Sequence, residues 1–241
     1  MSKPDGRLDM NQDNFFKACT TPCHKTLIGG SSGGGKSCLV LDMAVKFLHG
    51  NYRQDLDSGP MNELHSILND QVPVVILTED NRFSLLLRLS ENCLPNPDLS
   101  DEEKVQRIDN LCRIHSPNDQ DITEDWLVNL GDFLRRHQTK LIIIDGSFTN
   151  LKPELLVAWA REYNLAIVQT VQNRRSAPGY SNCKQFAGPI NHMTTSDLAV
   201  MLAEPIKNSS NYLKFEVTLL KNRFGMTSDK EFFYECSYSP Y

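Results

Sequence analysis

The sequence lacks an apolar run long enough to cross a bilayer, and we expect no secretory leader on it. It also lacks an excess of basic residues, because 25 lysines and arginines face 30 aspartates and glutamates and the net charge is −5. This balance provides no overall positive field for duplex DNA, although it leaves room for a local basic channel. We therefore expect a cytoplasmic protein that does not enter a membrane.

Paired cysteine motifs are missing as well. The seven cysteines are an odd number scattered through apolar segments, as expected of reduced thiols in a cytoplasmic protein. Cys19, Cys23 and His24 suggest a zinc site, but no second pair of ligands follows at a matching spacing. Ordinary free cysteines are the better interpretation. The chain has no internal repeats, and its 241 residues suffice for one sizeable α/β domain.

The strongest local signal is the glycine-rich stretch GGSSGGGKS at residues 29–37, which matches the G-x-x-x-x-G-K-S spacing of a phosphate-binding loop. Glycines allow backbone N–H groups to approach phosphate oxygens closely, and the helix that follows presents its positive end to them. A strand pattern precedes the stretch and an apolar helical pattern follows it, which disfavours a flexible linker. The predicted nucleotide contacts are Gly30, Ser31, Ser32, Gly33, Gly34, Gly35, Lys36, Ser37 and Cys38.

Hydrophobic patterning predicts an α/β fold. Continuous apolar runs at residues 72–78, 141–145, 165–170 and 198–202 indicate strands covered on both faces, and helical patterns separate them. This alternation predicts a mainly parallel sheet. Two late strand patterns, near residues 212–220 and 231–235, predict an antiparallel pair at its edge. We assign residues 21–241 to one domain, residues 1–20 to a flexible arm that moves freely or docks on a neighbour, and residues 50–60 to a surface loop.

Polar residues stand where three of the predicted strands end, which is the edge at which open parallel sheets bind ligands. Asp145 would hold Mg²⁺ together with Ser37, or it is a simple turn aspartate. Glu79 would orient and deprotonate an attacking water, with Asp80 as its competitor and a helix cap as the alternative for either. Gln172 would sense the γ-phosphate, or it is a solvated loop residue.

Two groups of basic residues occur late in the chain. Lys221 and Arg223 are two residues apart at the end of a strand and project from one face. They suit a phosphate supplied by a neighbouring subunit, although the residues alone favour edge charge that discourages aggregation. Arg174, Arg175 and Lys184 lie in the irregular residues 172–192 and would grip the backbone of a single nucleic-acid strand, unless this is a merely solvated loop.

Taken together, these stretches resemble the RecA-like ATPases, and most closely the DnaB-type and plasmid RepA hexameric replicative helicases. GGSSGGGKS resembles their Walker A element, PVVILTED the strand that ends in a catalytic glutamate, and TKLIIID the Walker B strand. YNLAIVQTVQNRR resembles the sensor strand with its DNA-facing loop, SDLAVMLAE the next core strand, and LLKNRFG the K-N-R-x-G segment. The resemblance covers roughly residues 20–236.

This resemblance implies a RecA-like P-loop core that binds ATP and Mg²⁺ between copies of the chain, with six copies expected in a ring. Lys36, Ser37, Glu79 and Asp145 would come from one copy, and Lys221 and Arg223 from the next. The implied activity is ATP hydrolysis coupled to movement along single-stranded DNA or its unwinding, as in a replicative helicase. The alternative is a recombinase-like or regulatory ATPase of the same fold that binds single-stranded DNA or a partner protein without being a motor.

Overall fold

The computed structural model describes residues 11–58, 71–172, 191–207, 213–223 and 231–236. Its helices are α1 (Gln12–Cys19), α2 (Lys36–Ser58), α3 (Arg82–Cys93), α4 (Asp101–Leu111), α5 (Glu124–Arg136), α6 (Pro153–Glu162) and α7 (Asn191–Thr195). Its strands are β1 (Lys25–Gly30), β2 (Val74–Thr78), β3 (Cys112–His115), β4 (Leu141–Asp145), β5 (Ala166–Gln172), β6 (Leu198–Leu202), β7 (Ile206–Lys207), β8 (Leu213–Asn222) and β9 (Glu231–Cys236).

The described strands form one nine-stranded sheet. Its order is β3-β2-β4-β5-β1-β6-β8-β7, with β9 paired to β8. The six strands from β3 to β6 are parallel to their neighbours, whereas β8 runs antiparallel to β6, β7 and β9. The predicted α/β class, with a mainly parallel sheet and an antiparallel edge, is therefore confirmed.

Helices cover both faces of the parallel part of the sheet. Val74 and Ile76 of β2 face a core that includes residues of α2, α3 and α4. The alternate residues Val75 and Leu77 face a second core with residues of α5 and α6. Because successive side chains of a strand point to opposite faces, burial on both sides requires the unbroken apolar runs seen in the sequence.

The surface loop predicted for residues 50–60 is wrong over residues 50–58. Helix α2 continues to Ser58, with a local departure from helical geometry at Tyr52. Leu56 is buried in the core, and the ring of Tyr52 lies 6.2 Å from that of Phe47. Burial of these apolar groups outweighs the weak helix propensity of Gly50 and Asn51.

Residues 12–19 of the predicted arm form α1 and belong to the core of this chain. Asn11 caps the helix by accepting a hydrogen bond from the backbone N–H of Asn14. Phe15 is fully buried, and its ring lies 5.2 Å from that of Phe232 and 5.9 Å from that of Tyr234, both on β9. Residues 1–10 lie outside the described part of the chain.

None of the helices in the described ranges is both long enough and apolar enough to span a membrane.

Candidate functional site

The glycine-rich turn lies at the carboxyl end of a central strand. β1 pairs with β5 on one side and β6 on the other, ends at Gly30, and is followed by α2 from Lys36. Gly33 and Gly35 have φ angles of 72° and 74°, which favour glycine strongly. A Cβ at Gly35 would also lie 2.5 Å from Cε1 of Phe215, a fully buried ring of β8. Backbone conformation and close packing both require glycine there.

Lys36 turns back onto this loop. Its Nζ donates hydrogen bonds to the carbonyl oxygens of Gly30, at 3.2 Å, and Ser31, at 2.7 Å. Burial lowers the pKa of Lys36 below its ordinary value, and the negative charge of Asp145 opposes this shift. The loop therefore holds a partly desolvated ammonium group beside its own backbone, where a bound anion would replace the carbonyl oxygens as its partner.

Oxygen atoms from three elements meet next to the loop. The Asp145 carboxylate, at the end of β4, accepts hydrogen bonds from the side chain of Ser37 and, at 2.8 Å, from Oγ1 of Thr170 on β5. Burial raises the pKa of Asp145, whereas these two hydrogen bonds lower it. A hydroxyl and a carboxylate at hydrogen-bond distance fit Mg²⁺, which binds through few protein oxygens and keeps its other positions for water and phosphate. The two residues predicted to hold the metal therefore lie together.

Glu79 directly follows β2, beside the end of β4. Its backbone N–H lies 3.3 Å from the carbonyl oxygen of Asp145, and its Oε1 accepts a hydrogen bond of 2.6 Å from the backbone N–H of Ser147. A Cβ at Gly146 would lie 2.8 Å from Cγ of Glu79, so glycine is required for this close approach. The Glu79 carboxylate is thus held at the carboxyl edge of the sheet by the backbone that follows β4.

Asp80 lies at the same edge but is held differently. Its backbone N–H donates a hydrogen bond to Oγ1 of Thr78, and its carbonyl accepts one from Oγ of Ser116. Its negative charge is one of the causes that raise the pKa of Asp145. Both carboxylates are therefore near the oxygen cluster, and the competition between Glu79 and Asp80 for the role of base stays open.

Gln172 is the last residue of β5, which ends two residues later than the sequence predicts. It is aligned with Gly30, the first residue of the phosphate-loop motif, and its side chain is exposed. Gln169 is buried within the strand, as predicted. The candidate sensor therefore lies directly beside the start of the glycine-rich turn.

Lys221 and Arg223 lie at the opposite edge of the sheet. Because β8 is antiparallel to β6, its Asn222 is aligned with Leu198, which in turn is aligned with Thr26 of β1. Thr26 precedes Gly30 by four residues, a distance of about 13 Å along a strand. The structure thus separates the predicted site residues into two groups, and these cations do not reach the glycine-rich turn of their own chain.

Sequence reasoning missed Thr170 and Asp197. Thr170 stands within a predicted strand, and the available signal was a hydroxyl at the carboxyl end of an otherwise apolar run. Asp197 forms an ion pair with Arg223, at 3.2 Å between Oδ1 and NH1. Nothing in the local sequence connects these two residues, because only the pairing of β6 with β8 brings them together.

The three residues predicted to bind nucleic acid, Arg174, Arg175 and Lys184, lie outside the described residues. Within the described residues, no group of three or more histidines, cysteines, aspartates or glutamates is arranged to hold a metal ion. Cys23 instead donates a hydrogen bond from Sγ to Oδ1 of Asn164. No family model matches this chain, and no curated protein matches it. Its function must therefore be inferred from its residues and their geometry.

Proposed function

We propose that this chain is a RecA-like P-loop ATPase of the DnaB-type and plasmid RepA helicase branch. Copies of it, six expected in a ring, hydrolyse Mg–ATP and use the energy to move along or unwind single-stranded DNA. The observation that carries the proposal is the contact between Ser37 and Asp145 beside the glycine-rich turn. A hydroxyl and a carboxylate distant in sequence meet there, at the edge where parallel sheets bind ligands.

The residues around the turn suit a triphosphate. Backbone N–H groups between Gly33 and Lys36 lie at the start of α2, where the helix dipole favours negative charge. Lys36 would provide an ammonium group for the β- and γ-phosphates, and Ser37 and Asp145 would hold Mg²⁺. Bound there, Mg²⁺ would neutralise charge on the phosphate oxygens.

Hydrolysis requires a group that orients and deprotonates water. Glu79 suits this role, because its carboxylate is fixed at the carboxyl edge by Ser147 and lies next to the strand of Asp145. Gln172 is the side chain on β5 that neighbours the turn, so it suits a sensor of the γ-phosphate. Gln172 directly precedes residues 173–192, the predicted DNA-facing loop, so a change in its contact with the γ-phosphate would be transmitted to that loop.

The position of Lys221 and Arg223 supports a site shared between copies. The strand position of Asn222, between the two cations, lies about 13 Å along the sheet from that of Gly30, so a phosphate that the cations contact would come from a different chain. Contact between the carboxyl edge of one copy and the opposite edge of the next is a head-to-tail interface, which closes into a ring when its rotation allows. A cation provided across such an interface raises hydrolysis rates by about 10³-fold or more.

Replacing Glu79 by glutamine should slow ATP hydrolysis by about 10²–10⁴-fold without weakening nucleotide binding. The glutamine carbonyl still accepts the hydrogen bond from Ser147, so the loss is confined to the proton-accepting group. Turnover is measured by phosphate release, and binding by titration with a fluorescent ATP analogue.

Asp80→Asn is the matched control, since it removes the adjacent carboxylate at the same edge. We expect it to retain most of the turnover. The reverse result would assign the base to Asp80. Full turnover in both variants would contradict the proposed hydrolysis mechanism.

Single-stranded DNA should stimulate ATP turnover, and the double variant Arg174→Ala/Arg175→Ala should lose this stimulation but keep its basal rate. The physical reason is that backbone phosphates bind the two guanidinium groups, while the predicted ATP contacts are other residues. Arg135→Ala/Arg136→Ala is the matched control, because it removes two adjacent exposed arginines from α5.

Light scattering in the presence of a non-hydrolysable ATP analogue and single-stranded DNA would measure how many copies of the chain assemble. Directional strand displacement would support the motor. Stimulation without displacement would favour the non-motor ATPase, and no response to any nucleic acid would leave a regulatory ATPase.

A further inference from the structure

The two cations at the far edge are held by a short, well-connected scaffold. Nζ of Lys221 donates hydrogen bonds of 2.8 Å to the carbonyl oxygens of both Met193 and Thr194 on α7. NH2 of Arg223 donates to the carbonyl oxygen of Thr194 at 3.2 Å, and NH1 contacts Oδ1 of Asp197 at 3.2 Å. One turn of helix and one carboxylate therefore fix the positions of both cations.

Asp197 is itself anchored on the central strand. Its Oδ2 accepts a hydrogen bond of 3.0 Å from the backbone N–H of Lys25, and its own N–H donates one of 2.8 Å to the carbonyl oxygen of Lys25. The backbone N–H of Arg223 donates to the carbonyl oxygen of Asp197 at 2.9 Å. Three hydrogen bonds thus join β1, Asp197 and the end of β8 into one rigid unit.

The two partners differ in exposure. The side chain of Asp197 is 13% exposed, whereas that of Arg223 is 51% exposed. A guanidinium has five N–H donors, and the contacts with Asp197 and Thr194 use NH1 and NH2 without covering the group. The Asp197 carboxylate is therefore held in a mostly buried position. The Arg223 guanidinium is oriented by it and remains accessible to solvent and to a neighbouring molecule.

The same helix, α7, is also tied to the sheet by a partly buried polar contact. Nδ1 of His192 lies 3.1 Å from Oε1 of Gln169, which is buried on β5 three residues before Gln172. Burial lowers the pKa of His192 to about 4, with the positive charge of Lys25 as a second cause. The imidazole of His192 is therefore neutral near pH 7, and its contact with Gln169 does not change with pH around that value.

We propose that Asp197 is a positioning residue that orients Arg223 toward the nucleotide held by an adjacent copy of the chain. The inference rests on the proposed function and adds to it a residue that touches neither nucleotide nor water. An arginine on an exposed edge has many accessible rotamers, and pairing with an anchored carboxylate restricts them before the neighbour arrives. Misplacement of a charge-stabilising group by about 1 Å costs on the order of 10²-fold in rate.

The test replaces Asp197 by asparagine, which keeps an oxygen acceptor for Lys25 but removes the charge that pairs with Arg223. We expect kcat for ATP hydrolysis to fall by about tenfold or more while KM for ATP stays within about twofold, because only the arrangement in the transition state is affected. The matched control is Asp132→Asn, which breaks a 3.0 Å ion pair with Arg135 on α5 and should leave both constants unchanged.

A double-mutant comparison separates positioning from simple structural support. In an Arg223→Ala background, Asp197→Asn should cause no further loss of kcat, because the residue it positions is absent. An equal loss in both backgrounds would overturn the inference, as would unchanged or increased kcat in Asp197→Asn alone. If Asp197→Asn does not fold, Asp197→Glu serves in its place, since it keeps the charge but displaces the carboxylate, and the same loss of kcat is expected.

The two proposals fail in distinguishable ways. Full turnover by Arg223→Ala would overturn the shared site and this inference with it. Strong loss in Arg223→Ala together with normal kcat in Asp197→Asn would overturn the role of Asp197 and leave the shared site intact.

Discussion

The Arg223→Ala chain should hydrolyse ATP about 10³-fold more slowly than the unmodified chain, yet bind nucleotide in its own glycine-rich turn. The binding residues Lys36 and Ser37 lie at the carboxyl edge of the sheet, and Arg223 lies at the opposite edge. Removing Arg223 therefore leaves the binding half of the site unchanged and deprives only the neighbouring copy of its cation. Phosphate release measures turnover, and binding of a fluorescent ATP analogue measures the affinity of the glycine-rich turn.

Mixing Arg223→Ala chains with Lys36→Ala chains should restore turnover that neither variant has alone. In a ring with random order, about one interface in four pairs an intact turn with an intact Arg223, so recovery to about a quarter of normal turnover is expected. The matched control mixes Lys36→Ala with Glu79→Gln chains. Both changes damage the same edge, and no interface in that mixture is intact.

Recovery in the first mixture but not in the control would support a site built from two copies. Absence of recovery, with both variants shown to assemble by light scattering, would contradict it. Recovery in the control mixture would mean that Lys36 and Glu79 act from different copies, against the geometry of a single edge.

Replacing Asp42 by alanine should lower the free energy of unfolding by about 3–5 kcal/mol. Asp42, on α2, is fully buried and accepts a 2.6 Å hydrogen bond from the hydroxyl of Tyr234 on β9. Nζ of Lys46 lies 2.7 Å from the Asp42 carboxylate and also donates to the Tyr234 hydroxyl at 3.1 Å. Removal of the carboxylate leaves the Tyr234 hydroxyl and the Lys46 ammonium in contact with each other but without the negative charge that both of them contact.

This network fixes the helix that begins at the phosphate loop. Asp42 is six residues after Lys36 in α2, and β9 lies at the antiparallel side of the sheet. Burial, followed by the charge of Asp42, raises the pKa of Tyr234, so the hydroxyl stays protonated and remains a donor. We therefore expect the loss of Asp42 to loosen the contact between α2 and β9 before it affects the parallel strands.

Urea unfolding followed by circular dichroism measures the change. Asp132→Ala is the control, because its ion pair with Arg135 is exposed on α5 and should contribute less than about 1 kcal/mol. Tyr234→Phe should have an intermediate effect of about 1–3 kcal/mol, since Asp42 keeps its contact with Lys46. An Asp42→Ala variant as stable as Asp132→Ala would contradict the role given to this network.

Local patterns alone predicted much of the fold. The apolar runs ending at Thr78 and Asp145 form β2 and β4, and their last residues are paired with each other. Pro153 begins α6 as its fixed φ angle favours, and the strand at residues 198–202 has the predicted bounds. These features depend on neighbours in the sequence, which is why propensity and periodicity suffice to find them.

Other features required contacts between distant segments. Phe15 belongs to the core because β9 provides two aromatic rings for it, and α2 extends to Ser58 because Leu56 finds a buried environment. The sequence around Phe15 and around Leu56 is mostly polar, so it gives no local sign of these contacts. Tertiary burial overrides weak propensity in both cases.

The sequence by itself determined the chemistry of the candidate site: a glycine turn with Lys36 and Ser37, and acidic residues where the apolar strands end. The sequence also predicted that Ser37 and Asp145 hold one metal ion together, and the structure brings them together. Only the tertiary structure decided that Arg223 lies at the opposite edge beside Asp197. The physical reason is that strand order and direction are fixed by non-local pairing. Antiparallel attachment of β8 to β6, which no local spacing specifies, carries the two cations away from the turn of their own chain.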